Sequence, residues 1–180
     1  LLDFKKSEEI SFKIVLEKNG LSGDIQKFHQ SYRRINDDLW DRHALGQVSK
    51  DFLKVERFRK FLEENDLEAD AHQMGDDYLH TLPDQVFLLE GTLDLLETLH
   101  KKIPLIMVTN GIGVVQHKRL DNIGLKPFFD HIVVSEECGF TKPDKRIFHH
   151  TFNLLNIAHH APNVLMVGDK LETDILGAQN

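Results

Sequence analysis

Between Phe4 and Leu82 apolar residues recur at intervals of three and four among charged neighbours, and no stretch alternates as a strand would. Phe52, Val55, Phe58 and the Phe61/Leu62 pair fall on one helix face, and Ser49 stands where an N-cap is needed. The same spacing predicts helices over residues 7–18, 24–43 and 69–80. Four short amphipathic helices can bury their stripes only against one another or against a second layer, so a helical bundle is expected.

After Pro83 the pattern changes. An amphipathic helix is expected over 91–101, followed by three short, uniformly apolar runs at 103–109, 131–135 and 164–167, with helical patterns at 114–122 and 145–156 between them. Strands that are apolar throughout and alternate with helices indicate a parallel sheet covered on both faces. The second half therefore reads as α/β, doubly wound, in which ligands gather where the strands' carboxyl ends meet helix N-termini.

Composition narrows the function. The 180 residues carry a formal net charge of −7 with no block of Lys or Arg, which argues against a nucleic acid polymer as partner and leaves room for a small phosphorylated ligand. No apolar stretch approaches the ~20 residues of a membrane-spanning helix, so no membrane association is expected. A single cysteine, Cys138, rules out an internal disulfide and suits a reducing cytoplasm. Eleven histidines invite a metal reading, yet His149/His150 and His159/His160 are adjacent residues that point apart, so neither pair makes a ligand set. Oligomeric state has no signature here. The chain opens at Leu1 without a Met or a signal peptide and stops at Asn180 inside a helical pattern, as a fragment would.

Three sets of residues near the expected strand ends carry chemistry. Thr109, Asn110 and Gly111 place a hydroxyl, a carboxamide and unhindered backbone N–H groups beyond the first strand, either as an anion cradle or as a plain Asn-Gly turn. Lys142 precedes Pro143 just ahead of a helical run, as a phosphate-neutralising ammonium or an ordinary surface lysine. Asp169 and Asp174 follow the third run, as a Mg²⁺-binding pair or as turn and cap residues. Two carboxylates roughly 5 Å apart would repel by about 3 kcal/mol at an effective dielectric near 20, which favours a shared cation.

Taken together and in this order, Thr-Asn-Gly, Lys-Pro and Gly-Asp with a second Asp five residues on resemble the signature of the haloacid dehalogenase superfamily, in its subfamily with a helical cap. The resemblance implies a Rossmann-like core at 86–180, a helical cap at 5–85, and residues 1–4 as the end of a core segment. Residues 36–40, Gly46, Arg57-Phe58, 134–137 and 168–177 are most similar to the pyrimidine 5'-nucleotidases acting on noncanonical nucleotides. The function implied is Mg²⁺-dependent hydrolysis of a small phosphomonoester, a nucleoside monophosphate first, through an aspartyl-phosphate. Thr109 and Asn110 would hold phosphoryl oxygens with Gly111 beside them, Lys142 would balance charge, Asp169 and Asp174 would bind Mg²⁺, and Trp40 and Arg57 would contact the substrate from the cap. The family's nucleophilic Asp-x-Asp motif would directly precede Leu1, so residues 1–180 alone are expected to be inactive, and Asp3 is not promoted to that role. Lys170 departs from the small hydroxyl residue common at its position and is expected to face solvent. The alternatives are another phosphatase of the superfamily (for a sugar phosphate, phosphoglycolate or sialic acid 9-phosphate), a cation-independent dehalogenase, and a non-catalytic phosphate-binding protein.

Overall fold

The computed structural model describes residues 1–157 and 163–180, so the His159/His160 pair lies outside the described residues. The chain divides into two compact units, Leu1–Glu90 and Gly91–Asn180.

The first unit is helical. Helix α1 spans Phe4–Lys18, α2 Ile25–Ala44, α3 Lys50–Glu64 and α4 Ala71–Thr81. Each begins at a side-chain cap: Asp3 accepts from the Lys6 N–H, Asp24 from Lys27, Ser49 from Phe52, and Asp70 from His72 and Gln73. Such caps satisfy backbone donors that the first helical turn leaves without partners. The buried stripes meet in an aromatic core in which Phe12 stacks on Tyr32 at 4.4 Å and meets Phe61 edge-on at 5.1 Å. Tyr32 lies against Phe58 at 5.4 Å and Tyr78 at 5.8 Å. Pairs of this kind add about 0.5–1.5 kcal/mol beyond the area they bury. An isolated antiparallel bridge joins Leu2 to Leu88.

One feature of this core departs from the amphipathic pattern. Glu8, on α1, is 3% exposed although it is a carboxylate. It accepts from the Asn36 carboxamide at 3.2 Å, and Asn36 in turn accepts from Arg57 Nη1 at 3.3 Å. The Arg57 guanidinium lies 4.5 Å from the Tyr78 ring centroid. A polar line thus runs from α1 through α2 and α3 to α4.

The second unit is α/β. Helix α5 (Thr92–Leu99) precedes strand β1 (Ile106–Thr109); α6 (Gly113–Asn122) leads to β2 (His131–Val134), which runs into the single turn α7 (Ser135–Cys138). Helix α8 covers Lys145–Leu154, and a π-helical turn at Leu171–Ile175 continues into α9 (Leu176–Gln179). Strands β1 and β2 are parallel, with Ile106 opposite His131 and Thr109 opposite Val134.

The expected third strand at 164–167 is not formed among the described residues. The segment is without a ladder, and Leu165 and Val167 are 85% and 82% exposed. An apolar run becomes a strand only where a neighbouring strand offers its backbone groups. The doubly wound sheet is represented here by two strands.

Candidate active site

The site is assembled at the end of β1. Its last residue, Thr109, accepts a hydrogen bond from the Gly111 N–H through Oγ1 at 3.0 Å, closing a tight turn. This leaves the Thr109 hydroxyl hydrogen to donate elsewhere, while the Gly111 N–H is committed inside the turn. Asn110 turns the other way: its Nδ2 donates to the Lys142 carbonyl and its Oδ1 accepts from the Lys142 N–H, both at 2.8 Å.

Lys142 is the centre of the arrangement. Its residue is 7% exposed, against the solvent-facing alternative. The ammonium donates to the Val108 carbonyl at 2.7 Å and pairs with Asp174 Oδ1 at 2.6 Å. An ammonium has three N–H groups, so these contacts leave one for a ligand.

Asp174, 6% exposed, is held from the other side as well, for its Oδ2 accepts from the Lys170 N–H at 3.2 Å. Two glycines allow the close packing that brings it there. A Cβ on Gly168 would stand 2.5 Å from the Asp174 Cβ, and one on Gly177 would stand 2.7 Å from the Phe148 ring and 3.1 Å from the Pro143 Cα. A side chain at Gly168 would displace Asp174 within the 168–177 segment, and one at Gly177 would push that segment away from Phe148 and Pro143. The loop is further fixed at Arg146, whose guanidinium lies 4.8 Å from the Phe140 ring and forks onto Asp144. That fork, with the Arg146 backbone N–H, holds the Asp144 carboxyl down at about 2.

Asp169 and Lys170 are exposed, and the Lys170 backbone N–H donates to Asp174. Mg²⁺ accepts as few as one or two carboxylates and completes its shell with water and phosphate oxygens, so the donor chemistry of Asp169 with Asp174 fits that ion. Among the described residues no group of three His, Cys, Asp or Glu is placed to hold a metal.

In the helical unit, Trp40 is half-buried and meets His43 edge-on at 5.7 Å. Arg57 is 2% exposed, inside the bundle. Asp3 caps α1, which accounts for it without a chemical role.

Two contacts near the site join residues that neither type nor spacing pairs in the sequence. The Gln116 side chain lies against Gly111, within 3.0 Å of where a Cβ would stand. Glu136 caps α6 by accepting from the Gly113 N–H at 2.7 Å. Its trace in the sequence is indirect: α6 starts after Ile112, which cannot cap, so an acceptor must come from elsewhere.

Comparison with known proteins identifies the family. The model of the haloacid dehalogenase-like hydrolase family matches residues 4–180. HAD-hydrolase YfnB of Bacillus subtilis is 34% identical over 181 residues, covering 99% of this chain and 75% of that protein. Pyrimidine 5'-nucleotidase PynA of Streptococcus pneumoniae is 32% identical over 181 residues, covering 100% of this chain and 76% of PynA. A crystal structure of YfnB bound to magnesium superposes with a TM-score of 0.85 at 32% identity, covering 99% of this chain and 79% of that one. The chain belongs to the haloacid dehalogenase-like hydrolases.

Proposed function

We propose that the protein is a Mg²⁺-dependent phosphatase acting on a small phosphomonoester, with pyrimidine nucleoside monophosphates as the first substrates to try. Its main support is the convergence on Lys142: the Val108 carbonyl near the β1 tip and Asp174 meet its buried ammonium, while Asn110 holds its main chain. The named activity of PynA supports the nucleotide, and the magnesium in the YfnB structure supports the ion.

In this reading, the Thr109 hydroxyl donates to a phosphoryl oxygen, and the remaining N–H of Lys142 neutralises charge on the same group. Phosphoryl transfer asks a protein mainly for placement and charge compensation, which fixed donors supply without reorganising. Asp169 and Asp174 would hold Mg²⁺, which contributes further neutralisation of the phosphate when bound. The attacking carboxylate would be the first of the Asp-x-Asp pair that the family resemblance implies. It forms an aspartyl-phosphate as the ester P–O bond breaks; the second aspartate protonates the leaving oxygen and then activates the water that releases phosphate.

Of the two substrate contacts expected on the helical unit, Trp40 is retained because part of it reaches solvent. Arg57 is reassigned to the interior network, since a residue 2% exposed meets no ligand without opening the bundle.

Asp169→Asn in the full-length protein is expected to weaken Mg²⁺ binding by at least about tenfold. Folding should barely change, since Asp169 is exposed. Titration of phosphate release with Mg²⁺, beside a thermal melt, measures both. An unchanged Mg²⁺ requirement would remove Asp169 from the metal site.

A further inference from the structure

We propose that Asn110 is a positioning residue that sets Lys142, rather than a ligand of the phosphoryl group; this rests on the phosphohydrolase reading above.

Both functional ends of the Asn110 carboxamide are turned to the peptide groups of a single residue 32 positions away. Nδ2 donates to the Lys142 carbonyl and Oδ1 accepts from the Lys142 N–H, each at 2.8 Å. The side chain thus does for Lys142 what a neighbouring strand does for a strand residue, with one donor and one acceptor side by side. Only a carboxamide carries both groups. Asp matches Asn in shape but has no donor for the carbonyl, and Ala has neither group.

The consequence lies in how the lysine is held. Its main chain is tied at Asn110, and its ammonium returns to Val108, two residues before Asn110, at 2.7 Å. Asp174 takes the tip from the other direction at 2.6 Å. A lysine side chain left to itself samples many rotamers, and ordering it costs up to about 2 kcal/mol. Anchoring the main chain beside β1 fixes the start of a side chain whose tip meets Val108 and Asp174. Loss of the Asn110 bonds moves the anchor point, and the ammonium moves with it.

Thr109 differs in this respect. Its oxygen accepts from Gly111, while its hydroxyl hydrogen stays available to a substrate. The two adjacent residues therefore divide the work: Thr109 faces the ligand and Asn110 faces the lysine.

A double-mutant cycle in the full-length protein tests this. With Lys142 present, Asn110→Ala and Asn110→Asp should each lower kcat about tenfold to a hundredfold, as expected for a displaced reacting-centre group. With Lys142 replaced by Ala, adding Asn110→Ala should change kcat by less than about twofold, because a residue acting through Lys142 has nothing left to act through. Equal losses in the two backgrounds would overturn the proposal and return Asn110 to the phosphate.

Hydrogen exchange of the Lys142 amide supplies a readout independent of turnover. Protection should be strong in the unsubstituted protein and lost in Asn110→Ala, and retained protection would overturn the proposal. Absence of phosphate release from the unsubstituted protein would count against the proposed function, while this exchange measurement would still judge the pairing.

Discussion

Lys142→Met is expected to destabilise the α/β unit by about 3–5 kcal/mol and to lower phosphate release by the full-length protein about 10²–10³-fold. Both effects come from one ion pair. Lys142 and Asp174 are 7% and 6% exposed and 2.6 Å apart, so removing the cation leaves a carboxylate that water barely reaches. Methionine nearly matches the lysine stem in volume, which keeps the cavity contribution small and isolates the electrostatic one.

Replacing both partners separates stability from chemistry. Lys142→Met with Asp174→Asn should recover most of the lost stability, since exchanging a whole buried pair is often close to neutral. It should recover none of the activity, because both the phosphate's cation and a metal carboxylate are gone. Urea denaturation of the three proteins supplies the comparison. A single-substitution cost below about 1 kcal/mol, the range of exposed pairs, would show that the pair is solvated and that Lys142 is not the buried centre described here.

The second large effect belongs to the helical unit and depends on pH. Burial pushes the Glu8 carboxyl up from 4.5 to about 7. The cations Arg33 and Arg57 oppose that rise, and Asp37 adds to it. Arg33 Nε is 3.5 Å away and His29 Nε2 is 3.7 Å away. A raised carboxyl means that the folded protein keeps a proton that the unfolded chain releases. The associated stability is therefore fully present below about pH 4.5 and declines by about 1.4 kcal/mol per pH unit until about pH 7, for a total near 3 kcal/mol.

His29 acts in the opposite sense. Burial lowers its pKa, so its contribution is present above pH 6.5 and is lost as pH falls through its folded value. Comparison of the unsubstituted protein with Glu8→Gln isolates the carboxylate. The difference in unfolding free energy between the two should change by about 3 kcal/mol from pH 4.5 to pH 8. A difference independent of pH would mean that Glu8 stays ionised in the bundle, neutralised by Arg33 and Arg57.

The helices and the order of the site motifs were legible because they depend on local information. Phe52, Phe58 and Phe61 recur at helical spacing, Ser49 precedes the helix that it caps, and α2, α3 and α6 run within a residue or two of the segments their patterns predict. The residues around Thr109, Lys142 and Asp174 stood out through their order along successive β/α units, and the fold brings those three segments together.

What escaped depends on partners distant in sequence. The run at 164–167 is as apolar as the one that forms β1, but hydrophobicity does not provide a neighbouring backbone. The pairing of Asn110 with Lys142 joins residues 32 apart, and nothing in an Asn-Gly dipeptide distinguishes a side chain aimed at a ligand from one aimed at a peptide. The substrate contact that the resemblance implies for Arg57 says nothing of its burial, and the fold places it inside the bundle at 2% exposure. Glu8 is one carboxylate among many on a charged helix, and only the fold surrounds it with α2 and α3.

Phosphate release by the full-length protein from pyrimidine nucleoside monophosphates and sugar phosphates, measured with Mg²⁺ and again with EDTA, tests the central claim most directly. The account predicts release that requires Mg²⁺ and is fastest with a pyrimidine nucleoside monophosphate; no release from any ester with Mg²⁺ present would contradict it.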